Sequence, residues 1–196
     1  MEEIKRLYDL SISHPHSTGC IDIHEHMPIL KQYGEECEHI TEMGVRGGAS
    51  TLALIMSKPK KFISYDIRST REIENIIRLG GNAINHTFII QDCLTVDIEQ
   101  TDLLFIDTLH TYNQLTAELN RHHSNVKKYI ILHDTTTFGR VDEGIYDHAS
   151  HLVKNQKVTK SGLRTAMEDF LNENPNWVIH EDRTNNNGLT ILKRVE

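Results

Sequence analysis

The sequence predicts an α/β fold: a mostly parallel seven-stranded sheet, helices on both faces, and an antiparallel hairpin at the C-terminal end. Three observations predict it. Short apolar runs alternate with helix-patterned stretches between residues 38 and 132, the rhythm of βαβ units. Most of the runs close on an acidic residue, at the strand end where parallel sheets bind ligands. Two further β-like runs are joined by Arg183-Thr184-Asn185-Asn186-Asn187-Gly188, a turn-rich stretch suited to a hairpin.

Residues 1–36 read as helical and polar, with a break at His14-Pro15-His16-Ser17-Thr18-Gly19. Strands are expected over 38–43, 61–65, 87–90, 102–106 and 127–132. A helix over 51–57 follows the first. A second, over 71–79, has Thr70 as N-cap, carries Ile73, Ile76 and Ile77 on one face, and stops at Gly80-Gly81. A third, over 111–123, sets Tyr112, Leu115 and Leu119 at helical spacing. Residues 135–160 are polar and weakly patterned, long enough for a lid or substrate loop with some helix of its own. There Phe138, Arg140, Tyr146 and His148 offer contacts to a small hydroxylated ligand, while Asp142-Glu143-Gly144 looks simply solvated. Leu163, Ala166, Met167, Phe170 and Leu171 then form the clearest amphipathic helix, ended by Asn174-Pro175. The hairpin strands are expected over 177–181 and 189–193. With no repeat and no Pro/Gly/Ser linker, residues 1–196 read as a single domain.

The composition narrows the class. The chain has 196 residues, 38% hydrophobic and 25% charged, enough to bury a core without disulfide or metal. Cys20, Cys37 and Cys93 form no CxxC pair, and Met1-Glu2-Glu3 is an acidic opening without an apolar signal segment. A cytoplasmic protein with reduced thiols is therefore expected, and no apolar run is long enough to span a bilayer. The net charge of −7 and the lack of a large Lys/Arg cluster argue against a nucleic-acid partner. Self-association is left open.

The first strand and turn read Ile40-Thr41-Glu42-Met43-Gly44-Val45-Arg46-Gly47-Gly48-Ala49-Ser50. Gly44 and Gly48 let the backbone bend and approach a ligand. Glu42 places a carboxylate at the strand end, where it suits a cation such as an amino-acid ammonium. Asp66 ends the second strand, well placed for ribose hydroxyls, and Asp92 with Cys93 ends the third. These ordered residues, Glu-x-Gly-x-x-x-Gly-x-Ser, then Asp66, then Asp92-Cys93, resemble the cofactor motifs of class I S-adenosyl-L-methionine-dependent methyltransferases. The resemblance implies a Rossmann-like methyltransferase fold, with Glu42 on the methionine side, Gly44, Gly48 and Ser50 in the cofactor loop, Asp66 at the ribose, and Asp92 and Cys93 bordering the adenine. Arg46 stands where the commonest form of the loop has glycine, and the spacing is similar instead to catechol-type O-methyltransferases.

The fourth and fifth strands end in Ile106-Asp107-Thr108-Leu109-His110 and Leu132-His133-Asp134-Thr135. On adjacent parallel strands Asp107 and Asp134 meet at one rim, a pair suited to a hard divalent cation, and His110 is placed to act as general base. With the helix near 162–171 and the closing Asn-Asn-Gly-Leu-Thr, this set resembles macrocin-type sugar O-methyltransferases and cephalosporin-hydroxylase-like proteins. That resemblance implies Asp107 and Asp134 as Mg²⁺ ligands, His110 as base, and a small-molecule or sugar hydroxyl as acceptor. Thr108 departs from a frequent glycine, and Thr135 from the Asn that serves as third ligand in catechol-type enzymes. The alternatives are a hydroxylase, a metal-dependent hydrolase using His133-Asp134, and a non-catalytic cofactor-binding protein. An NAD dehydrogenase is disfavoured by the terminal hairpin and by Glu42.

Overall fold

The computed structural model describes residues 1–144, 150–154, 156–157 and 159–195. Tyr146 and His148 lie outside them. Among the described residues no helix is long and apolar enough to cross a membrane. The elements run α1 (Glu2–Ser13), α2 (Pro15–Thr18), α3 (Met27–Gly34), β1 (His39–Met43), α4 (Ala49–Met56), β2 (Lys61–Asp66), α5 (Arg71–Gly80), β3 (His86–Ile90), β4 (Thr101–Ile106), α6 (Tyr112–His122), β5 (Val126–His133), α7 (His151–Lys154), α8 (Leu163–Glu173), β6 (Trp177–Arg183) and β7 (Leu189–Arg194).

The seven strands form one sheet in the order β3-β2-β1-β4-β5-β7-β6. β1 to β5 are parallel, and β7 enters antiparallel between β5 and β6. The expected architecture is present, with strand ends displaced by one or two residues. Because β1 is flanked by β2 on one side and β4 on the other, the connections leave it in opposite directions and open a crevice at its C-terminal end.

Alternation along the strands sorts side chains into two cores. On β4, Leu103 and Phe105 face one layer while Leu104 and Ile106 face the other. The first layer holds α1, α3, α4 and α5 through residues such as Ile4, Met27, Leu30, Leu54 and Ile73. The second packs α6 and α8 through Leu115, Leu119, Met167 and Phe170, with Trp177 of β6. β4 is buried along its whole length, as expected of a strand covered on both faces. The N-terminal stretch, polar on average, thus buries an apolar stripe.

Helix starts follow their caps. Thr70 accepts from the Ile73 amide at 3.3 Å and Thr111 from the Gln114 amide at 3.2 Å, so the third expected helix begins at Tyr112, one residue later than anticipated.

Candidate active site

The ends of β1 and β4 approach so closely that only glycine fits at position 44. Gly44 has φ of 83°, and a Cβ there would lie 1.9 Å from the Asp107 carbonyl oxygen. The loop beyond it folds around Asp66, whose Oδ2 accepts from the amides of Val45 at 2.8 Å and Arg46 at 3.0 Å. Its Oδ1 accepts from the Arg68 amide at 3.2 Å. Arg46 takes a left-handed backbone and pairs with Asp22 at 2.5 Å, which draws the turn before α3 against the loop.

Two expected cofactor residues stand elsewhere. Glu42 is fully buried and does not line the cavity. Its carboxylate accepts hydroxyl donors from Ser50 at 2.6 Å, Thr51 at 2.8 Å and Ser64 at 2.6 Å. Three donors and no solvent leave it to brace β1, β2 and α4 rather than to meet an ammonium. Burial pushes its carboxyl up to about 7, with the hydroxyl bonds pulling the other way. Gly48 also faces inward, because a Cβ there would lie 2.5 Å from Ile76 Cδ1, so its role is to let α5 pack on the loop.

At the end of β3, Asp92 Oδ1 accepts from the Leu94 amide at 2.9 Å. The Cys93 thiol donates to Glu118 Oε1 at 3.1 Å, and burial pushes it up. Glu118 also accepts from Thr108 Oγ1 at 2.6 Å and Gln114 Nε2 at 2.7 Å. Thr108 thereby ties the β4 end to α6, a bond that glycine could not make.

The chemical end gathers around His110. Its Nε2 lies 3.1 Å from Asp107 Oδ1 and 3.0 Å from Asp134 Oδ2, and its Nδ1 lies 2.8 Å from Glu143 Oε2. Burial alone would lower the His110 pKa, but the three carboxylates outweigh it and hold it above its ordinary value. Asp107 is correspondingly held low: burial opposes ionisation, but His133 and His110 overcome it. Asp134 has φ of 59°, a left-handed turn immediately after β5 that swings its carboxylate toward His110. Asp134 Oδ1 is buried and has no hydrogen-bond partner among the described residues. Asp107, His110 and Asp134 offer donor atoms that all lie within 4.8 Å of one another. His133 lies behind them, its Nδ1 3.6 Å from both carboxylates, and it does not line the cavity. The buried Thr135 hydroxyl is hydrogen-bonded to Thr190 of β7, so it does not replace an Asn ligand.

A cavity of about 420 Å³ joins the two ends. Of the expected residues, Gly44, Ser50, Asp66, Asp92, Cys93, Asp107, His110 and Asp134 line it. Sequence reasoning missed Cys20 and Ile23 on the N-terminal wall, Gln114 at the start of α6, and Glu143, which had read as solvated. None has a local motif, because each arrives from a distant stretch of chain. The Asn-rich turn between β6 and β7 locks two walls in place. The Asn187 carbonyl accepts from the amides of Thr136 at 2.8 Å and Thr137 at 3.0 Å, and Asn186 bonds to the Ile21 carbonyl and the Glu25 amide.

No protein-family model matches the sequence, and no curated protein matches it. Solved structures do. A Klebsiella pneumoniae protein provisionally assigned as an O-methyltransferase superposes with a TM-score of 0.65 at 14% identity, over 97% of this chain and 90% of that one. The chain has the Rossmann-like fold of class I methyltransferases. The S-adenosylhomocysteine-bound methyltransferase PaMTH1 of Podospora anserina gives a TM-score of 0.61 at 14% identity, over 98% of this chain and 88% of that one. The N-methyltransferase NodS of Bradyrhizobium japonicum gives 0.60 at 15%, over 89% and 97% respectively. Oxygen and nitrogen methylation both occur among these names, so the acceptor atom has to be argued from the site.

Proposed function

We propose that this chain is an S-adenosylmethionine-dependent methyltransferase acting on a hydroxyl oxygen of a small molecule or sugar, with Mg²⁺ assistance. The observation that carries the reading is the meeting of two kinds of group in one cavity at the crevice beside β1. Asp66 and Asp92 stand toward β2 and β3, while Asp107, His110 and Asp134 stand toward β4 and β5. The cavity volume of about 420 Å³ suits a small molecule.

The residues fit both groups. Asp66 and Asp92 each give lone pairs to backbone amides yet keep acceptor capacity at the wall, which suits ribose hydroxyls and an exocyclic amine. Asp107 and Asp134 offer hard oxygen donors, and the buried, unpartnered Asp134 Oδ1 is the kind of atom a cation satisfies. When bound, the sulfonium supplies the methyl group and the divalent ion lowers the pKa of the acceptor hydroxyl. The chain's own work is then to align and to move a proton. Asp66 fixes the 44–47 loop, Asp107 and Asp134 set the rim, and His110 Nε2 receives the hydroxyl proton. Alignment of this kind contributes several kcal/mol to the rate. An oxygen acceptor is favoured because the base and both carboxylates suit removal of a hydroxyl proton.

Calorimetry with S-adenosylhomocysteine tests the cofactor reading. Wild type is expected to bind, and Asp66→Ala to bind about 1–3 kcal/mol more weakly, part of the loss coming from the freed Val45 and Arg46 amides. No binding by the wild type would end the reading. The metal is tested with a panel of hydroxylated compounds and labelled cofactor. Turnover should vanish in EDTA, return with Mg²⁺, and be absent in folded Asp134→Ala; full turnover in EDTA would remove the metal from the scheme.

A further inference from the structure

Gln114 stands in the cavity wall with 4% of its surface exposed, and its side-chain amide is held in one orientation. Its Nε2 donates to Glu118 Oε1 at 2.7 Å and to Cys93 Sγ at 3.5 Å. Turning the amide over would set its carbonyl oxygen against the Glu118 oxygen, so the reverse orientation is costly. That Glu118 oxygen is itself fixed, since it also accepts from Thr108 Oγ1 at 2.6 Å and from Cys93 Sγ at 3.1 Å. The backbone is equally settled. The Gln114 amide donates to the capping Thr111 hydroxyl at 3.2 Å, and Leu115 beside it is packed in the core. With Nε2 turned into the wall, the side-chain carbonyl oxygen is left toward the cavity, where it has no hydrogen-bond partner among the described residues.

On the reading of the cavity as an S-adenosylmethionine site, we propose that this carbonyl oxygen accepts from the exocyclic amine of the cofactor's purine, which makes Gln114 a specificity-determining residue for the adenine ring. The contact with Cys93 places it there, at the end of β3 and beside Asp92, which keeps acceptor capacity at the same wall. A 6-aminopurine carries two N–H donors on its exocyclic nitrogen, and an Asp92 oxygen and the Gln114 carbonyl supply two acceptors. A 6-oxopurine would present lone pairs to both. Neither acceptor can answer it, because a carboxylate has no donor and the Gln114 amide is held by Glu118. A site built to accept from a donor rejects the analogue that lacks it, since the buried acceptor is then left unpaired. The start of α6 thereby serves the cofactor end of the cavity, although the connection leading to it carries His110.

The test is calorimetry with S-adenosylhomocysteine and its deaminated analogue S-inosylhomocysteine, and it does not require a known acceptor. Wild type should prefer the adenosyl compound by about tenfold or more. Gln114→Met keeps the length of the side chain without its polar atoms. It should bind the adenosyl compound about fivefold more weakly and the inosyl compound no worse, so the preference falls by about fivefold. Gln114→Ala should lose the preference in the same way, and both variants should melt cooperatively. A wall that was merely disturbed would weaken both ligands alike and leave their ratio where it was. A preference unchanged in either variant, or a wild type that binds the two compounds equally, would overturn the proposal and leave the cofactor reading standing. A wild type that binds neither compound would overturn both.

Discussion

Glu42 shows how a single carboxyl can look functional in the sequence and act structurally in the fold. Its ordinary pKa is 4.5, and burial raises it to about 7 in the folded chain. Between those values the folded protein holds a proton that the unfolded chain has released, so stability falls as pH rises through this window. A shift of that size corresponds to about 3 kcal/mol. Glu42→Gln keeps one of the two acceptor oxygens that the Ser50, Thr51 and Ser64 hydroxyls share and cannot ionise. Its melting temperature should therefore vary less with pH between 4.5 and 7 than that of the wild type. Parallel pH profiles for the two proteins would show that the titrating group lies elsewhere.

The excursion after β5 begins and ends at nearly the same point. The Asp142 amide donates to Ser161 Oγ at 2.9 Å, and Asp142 Oδ1 accepts from Gly162. From this segment Asp134, Glu143 and Ser150 line the cavity, and the lid expected over 135–160 is tested in its part beyond Gly144. Replacing residues 145–159 with a short Gly-Ser link should leave cofactor affinity near normal and remove most turnover, because the acceptor would no longer be shielded from water. Some loss of stability is expected, since Val153 of α7 is buried in the core. Unchanged turnover with an identified acceptor would exclude a lid.

The same elements mark the reach of sequence reading. β1 to β5 were legible because apolar runs stop at charged residues, and Asp107, His110 and Asp134 were legible because each ends or follows such a run. Glu143 was not: nothing local distinguishes a solvated Asp-Glu-Gly from one folded back on a histidine 33 residues away. The direction of Glu42 was not legible either, because a strand-end acid can face the crevice or the helix behind it, and the three hydroxyls it meets come from α4 and β2.

At the scale of the whole molecule, α1 and α3 are part of the core rather than an appendage. Ile4 is fully buried in the layer that includes α4 and β1. Ile4→Ala should cost about 2–5 kcal/mol, and a chain of this size should melt roughly 2–4 °C lower for each of those. A melting temperature within a degree of the wild type would show that α1 is dispensable.

The Asn-rich turn carries a consequence for how the protein is made. A ribosome delivers the N-terminal wall well before the 185–188 turn and β7, the strand that slots between β5 and β6. Until that stretch emerges, Ile21 and Glu25 lack their Asn186 partner, and Thr136 and Thr137 lack the Asn187 carbonyl. A nascent chain therefore cannot assemble both walls of the crevice ahead of time, however early its first strands pair. A message truncated before this turn and β7 should yield a chain whose two crevice walls are not joined through Asn186 and Asn187.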